Sequence, residues 1–213
     1  MEKNNMSKKI MFNDNHRLTE AVLNRTKTMT RRVEKIVSST KSFDKIFEIE
    51  GGFDDKGNWV FTLYDSNMEI IGDIIPRYSI GEILSIAQSY KDIIKYSSEL
   101  KNTILDNNGS PKKEYMAGYT NKMFVKPELM LHHIQIIDMK LERLQNISNE
   151  DCLREGIWTY DDSKLYYYIN KKGFVSGFDS PKEAFSSLIN DVSGKHTWES
   201  NPLVVVYTFK LID

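Results

Sequence analysis

The closing stretch of the chain, Pro202-Leu-Val-Val-Val-Tyr-Thr-Phe-Lys-Leu-Ile212, limits the possible folds more than any other segment. Consecutive valines followed by an aromatic, a threonine and a second aromatic crowd a helix at Cβ but suit a pleated sheet, so the run reads as one long strand. Its apolar part, residues 203–209, is the longest apolar run in the sequence and falls well short of the roughly 18 residues that a membrane-crossing helix needs. The N-terminal MEKNNMSKK has no apolar signal core. A cytosolic location with no membrane partner is therefore expected. Cys152 is the only cysteine, which leaves no internal disulfide and no cysteine-rich zinc site. Lys+Arg 29 against Asp+Glu 30 gives a net charge of −1, so long-range attraction to nucleic acid is not expected and any polyanion site must be a local patch.

Ahead of that strand the pattern is many short strands and few helices. Residues 1–8 are polar and aperiodic and read as a tail, with residues 9–213 as a single domain. Lys9-Ile-Met-Phe12 reads as a short strand. Asn13-Asp-Asn15 offers caps for a helix carrying Leu18, Ala21, Val22 and Leu23, with Asn24 expected in the left-handed conformation at its end. Residues 46–49, 59–64 and 68–75, separated by Gly51-Gly52, Asp54-Asp-Lys-Gly57 and Asp65-Ser-Asn67, predict a meander. Residues 81–90 alternate as a strand with one apolar face. Residues 91–120 or so read as an irregular insertion, in which Ile93, Ile94, Leu100 and Ile104 mark a short helix and residues 106–111 a disordered loop.

Further on, residues 131–141 predict a strand, Ser148 starts a short helix that Gly156 ends, residues 165–169 form a strand and residues 173–177 a turn. Ser180-Pro-Lys-Glu183 starts a helix expected to run to about Val192. The sum is an α+β fold: a small mixed β-barrel with flanking short helices and an inserted loop region.

The chemistry concentrates after the first helix. Arg25, Lys27, Arg31, Arg32 and Lys35 are five cations in eleven positions, with Glu34 the only acid and Thr26, Thr28 and Thr30 between them. Arginine forks and threonine hydroxyls hold phosphate oxygens well. The same residues also fit a solvated strand edge blunted by charge, and at this level both readings stand. His132 and His133 diverge on a strand, and His16 and His196 lie far off, so neither a metal nor another cofactor is expected. Cys152, beside Asp151 and near Glu155, sits in an acidic setting that disfavours a thiolate and reads as structural.

Ile10-Met-Phe-Asn13, then Ala21-Val-Leu-Asn24 leading into Lys27-Thr-Met-Thr-Arg-Arg32, resembles the N-terminal signature of the ASCH domain, a PUA-like barrel of bacterial and prophage proteins. Four more stretches agree in order: Ile80-Gly-Glu-Ile-Leu-Ser-Ile86, Lys126-Pro127, the passage from Glu142 to Ile157, and Trp198-Glu-Ser-Asn-Pro202. The resemblance implies a barrel with a cleft behind the first helix that engages RNA or a nucleoside-type ligand. Arg25, Thr28, Arg31 and Arg32 would then meet the ligand. Gln88 stands where the family has a carboxylate and can read an amide or base edge as donor and acceptor, with Tyr90 beside it. Trp198 and the run Tyr166-Tyr-Tyr168 can stack bases or fill the core, and the core is the expectation for at least two of the tyrosines.

One branch of the family hydrolyses the amide of N4-acetylcytidine, using positions matched here by Lys27, Thr30 and Glu155. On that likeness Thr30 is the nucleophile, Lys27 the base and Glu155 the proton donor. Lys27 must then be neutral at working pH. It can meet Thr30 only across a turn, bulge or kink, because residues three apart on a regular strand face opposite ways. Plainer roles fit the same residues: Lys27 as a phosphate contact, Thr30 as a backbone-bonding hydroxyl and Glu155 as the end of a capped helix. RNA or nucleoside binding without chemistry, and a non-catalytic prophage interaction module, are the other expectations.

Overall fold

Leu203–Leu211, the long strand foreseen at the C-terminus, is an interior strand of the largest sheet in a computed structural model that describes residues 8–34, 36–39, 46–159 and 164–213. Residues 203–207 are buried in succession, so both faces of the strand are covered, as its unbroken apolar run requires. In chain order the strands are β1 (Lys9–Ile10), β2 (Met29–Arg32), β3 (Ile36–Ser39), β4 (Glu48–Phe53), β5 (Trp59–Tyr64), β6 (Ile70–Ile74), β7 (Ile83–Ile86), β8 (His133–Arg143), β9 (Trp158–Thr159), β10 (Tyr166–Asn170), β11 (Gly173–Phe178) and β12 (Leu203–Leu211). The helices are α1 (Leu18–Leu23), α2 (Tyr90–Ile93), α3 (Ser98–Ile104), α4 (Asn149–Arg154), α5 (Pro181–Ser193) and α6 (Thr197–Ser200).

The architecture is α+β. The main sheet runs β1-β7-β8-β12-β2, with β12 antiparallel to both β8 and β2. Among the described residues β1 and β2 stay as its edges, so these strands form an open sheet where a closed barrel was expected. The expected meander is present as β4, β5 and β6 in antiparallel succession, extended by β3 into the order β3-β6-β5-β4. Phe61, Leu63, Ile71 and Ile74 from that sheet enter the same core as Val205, Tyr207 and Phe209. Tyr167 and Tyr168 are buried on β10, and Tyr168 joins this core beside Phe185 of α5. No helix among the described residues is long and apolar enough to cross a membrane.

Several local expectations are corrected. The left-handed residue after α1 is Arg25 (φ 63°), because Asn24 still holds φ −83° and donates to Glu20 O. Residues 173–177 belong to a strand: the turn is made by Lys171 and Lys172, with Asn170 Oδ1 accepting from Lys172 N, and β11 folds back on β10. The strand expected over 81–90 stops at Ile86, since the Ser89 side chain accepts from Asp92 N and opens α2. The stretch read as an irregular insertion carries α2 and α3, each capped by a serine, over a small core of Ala87, Tyr90, Ile93, Ile104, Val125 and Met130. Residues 106–111, read as disordered, form a tight turn in which Asp106 Oδ1 accepts from Asn108 N and Ser110 N. Residues 1–7 of the expected tail lie outside the described residues.

Candidate functional site

The segment after α1 reverses before it enters the sheet. Ala21 O accepts from the backbone N–H of both Thr26 and Lys27 at 2.9 Å, and Thr26 Oγ1 donates to the same carbonyl at 3.0 Å. Thr28 N then donates to Arg154 O, and Phe209 N to Thr28 O, each at 3.0 Å. Lys27 therefore sits in a turn fastened to α1, and Thr30 sits on β2 opposite Tyr207. The steric condition for their convergence is met, and both side chains line one cavity with Glu155.

Glu155 comes from the other side. Ser148 caps α4, Asp151 and Glu155 lie one turn apart, and Gly156 at φ +105° ends the helix. A methyl group at Gly156 would lie 3.0 Å from Leu18 Cδ2, so helix end and α1 approach closely only because no Cβ is present. Gly156→Ala should cost about 1–3 kcal/mol through the positive φ and this contact. Thermal unfolding measures it, and an unchanged midpoint would show that the helix end relaxes freely.

The charges of Lys27, Arg31 and Glu155 are buried and paired. Lys27, 2% exposed, donates from Nζ to Glu155 Oε2 at 2.6 Å and to Glu155 O at 2.8 Å. Arg31 forks onto Glu142 Oε1 through Nε (3.0 Å) and Nη2 (2.8 Å), and reaches Asp151 Oδ2 at 2.9 Å and Glu155 Oε1 at 3.1 Å. Two cations thus face three carboxylates, and Lys140 at the rim adds a contact to Glu142 at 3.0 Å. Burial drives the Lys27 pKa below its ordinary 10.5, outweighing the attraction of Glu155, with Arg32 and Arg31 pushing the same way. For Arg31 burial again works against the charge, but Glu155, Glu142 and Asp151 outweigh it and hold the guanidinium above its ordinary value. Cys152, buried on α4, has its thiol pushed up to about 12 by burial, as befits a structural cysteine.

The cavity measures about 550 Å³. Its wall is largely apolar, with Phe12, Leu18, Leu144, Phe185 and Leu188 among others, and its polar lining includes Lys27, Thr30, Arg31, Arg32, Glu34, Arg77 and Glu155. That division, an apolar wall with a few converging polar groups, matches small-molecule sites in size and character.

Of the residues expected to meet a ligand, Arg31 and Arg32 line this cavity and the others do not. Arg25 is exposed and donates to Leu211 O at 3.4 Å. Thr28 accepts from Arg154 Nε at 3.2 Å. Gln88 and Tyr90 belong with the second core, where Gln88 N donates to Met130 Sδ and Tyr90 Oη accepts from Lys126 N. They are drawn there because α2 begins where the strand was expected to continue. Trp198 packs edge-on against Phe185, 6.2 Å between centroids, while its neighbour Thr197 lines the cavity. Lys35 lies outside the described residues.

Within the expected cationic patch, Lys27 and Arg31 are thus neutralised from within. The sequence reading missed Glu142, Asp151, Glu34 and Arg77. Asp151 and Glu155 carry a detectable signal, two acids one helical turn apart behind a serine cap, whereas nothing in Pro76-Arg77-Tyr78 marks a cavity residue. Compared with protein-family models, curated proteins and solved structures, the chain matches none of them.

Proposed function

We propose that the protein is an ASCH-type, PUA-like amidohydrolase that removes the acyl group from an acylated pyrimidine nucleoside of the N4-acetylcytidine kind. One observation carries this reading. Lys27, Thr30 and Glu155, contributed by a turn, a strand and a helix end, line a single cavity of small-molecule size, with the lysine and the carboxylate 2.6 Å apart.

The chemistry follows from that pair. Lys27 Nζ lies 2.6 Å from Glu155 Oε2, while Glu155 Oε1 stays bound to Arg31. When Lys27 is neutral, its amine takes the hydroxyl proton of Thr30, and Oγ1 attacks the acyl carbonyl. The C–N bond then breaks as the Lys27–Glu155 pair delivers a proton to the leaving amino nitrogen. The acyl group is left on Thr30, and a water deprotonated by Lys27 releases it as the carboxylic acid and restores the hydroxyl. The apolar wall excludes competing water and holds the flat base.

Incubation with N4-acetylcytidine should release cytidine and acetate, followed by chromatography, and Thr30→Ala should lower the rate at least about 10³-fold. Absence of release by the intact protein ends the reading for this substrate. Full activity in Thr30→Ala moves the nucleophile elsewhere.

A further inference from the structure

Within the cavity, the two cations deepest in the wall are already answered by carboxylates: Lys27 by Glu155, and Arg31 by Glu142, Asp151 and Glu155. Arg32 and Arg77 line the same cavity and, among the described residues, neither is paired with a carboxylate. Arg32 is held in a fixed attitude, its Nη2 donating to Met11 O at 2.7 Å and its guanidinium 5.9 Å from the centre of the Phe12 ring. Its Nε is buried and, among the described residues, has no acceptor. A buried donor of a charged group without a partner is uncommon in a folded protein.

Arg77 is exposed, and its backbone N–H donates to Tyr207 Oη at 3.0 Å. The same hydroxyl donates to Glu34 Oε1 at 3.2 Å, and Tyr207 stands opposite Thr30 in the sheet. One tyrosine therefore ties the Arg77 loop and the Glu34 carboxylate to the strand that bears Thr30. Glu34 also lines the cavity, and it is engaged by Tyr207. The mouth keeps one net positive charge, with forked donors.

We infer that Arg32 and Arg77 form a phosphate subsite, so that the cavity favours a pyrimidine mononucleotide over the free nucleoside. The inference rests on the reading that the cavity takes a pyrimidine nucleoside, and it adds the anionic group that this nucleoside carries. Guanidinium forks match phosphate oxygens in pairs, and Arg32 and Arg77 both line the cavity with no carboxylate partner among the described residues. The cavity volume fits one nucleotide and not several residues of a strand, which favours a mononucleotide over an RNA chain as the source of the phosphate.

Calorimetric titration of the intact protein with cytidine, cytidine 5′-monophosphate, inorganic phosphate and a cytidine-containing RNA hexamer tests this without requiring turnover. The monophosphate should bind at least about tenfold more tightly than cytidine, and the advantage should shrink as salt is raised. Inorganic phosphate should compete with it. In Arg32→Gln combined with Arg77→Gln, the ratio of the two affinities should fall to about one. Equal affinities for cytidine and its monophosphate in the unaltered protein overturn the subsite, as does absence of binding by either. Tighter binding of the hexamer than of the monophosphate overturns the mononucleotide assignment. Failure of N4-acetylcytidine hydrolysis is read separately, because the affinity ratio is measured on product-like ligands whether or not the protein is an enzyme.

Discussion

Arg31→Met should remove about 3–5 kcal/mol of folding stability, because it leaves Glu142, Asp151 and Glu155 gathered around an apolar side chain. The wild-type guanidinium answers all three at once, which only a planar fork with five donors can do. Arg31→Lys should recover only part of the loss, since one ammonium on a flexible stem cannot reach three carboxylates in those directions. Urea unfolding at constant pH and salt reads both variants. With total stabilities of a domain near 5–15 kcal/mol, a loss of this size is plain in the midpoint. A change below about 1 kcal/mol would mean that the carboxylates are solvated and the cluster is a surface feature.

The second large effect concerns Lys27. Lys27→Met should lower hydrolysis of N4-acetylcytidine about 10²–10⁴-fold, the range for removal of a general base. Loss alone would also follow from damage to a buried pair, so a second variant separates the two causes. Lys27→Arg retains a cation beside Glu155 but cannot become neutral, and it should be equally inactive. An active Lys27→Arg would reduce Lys27 to a counter-charge.

The pH dependence gives an independent check with a definite sign. Lys27 works as a base only when neutral, and burial lowers its pKa from 10.5, so the rate should climb with pH along a limb centred below 10.5. Stability runs the same way. Between the lowered folded value and the 10.5 of the unfolded chain, the unfolded state binds more protons, so this group's contribution to stability rises with pH across that window. A rate limb centred at or above 10.5 would contradict the neutral-lysine mechanism.

How much of this was legible beforehand can be judged at single residues. Ser148, Ser180 with Pro181, and the turn glycine Gly156 act within a few residues of themselves, and the helices begin and end where those side chains dictate. Strand geometry requires a turn between Lys27 and Thr30 if both are to line one cavity, and Arg25 in the left-handed region, with two N–H groups on Ala21 O, supplies it. Gln88 and Tyr90 show where such reasoning stops. Their alternating pattern is genuine, but Ser89 offers a cap and Ile93, Ile104 and Val125 offer a second core, and packing overrides the local pattern.

The basic run after α1 is the sharper case. Composition and spacing determine that a dense group of cations and hydroxyls lies there, and the valine-rich strand determines that a buried sheet stands beside it. Whether a given cation is free to meet a ligand is a tertiary matter. Arg31 meets carboxylates 111, 120 and 124 residues away in the chain, and a guanidinium surrounded at about 3 Å has no charge left to offer. Arg32, one residue on, lines the cavity with no carboxylate partner among the described residues. Coulomb and hydrogen-bond energies fall off over a few ångströms, so the difference between neighbours in sequence is decided by which distant groups folding brings within reach.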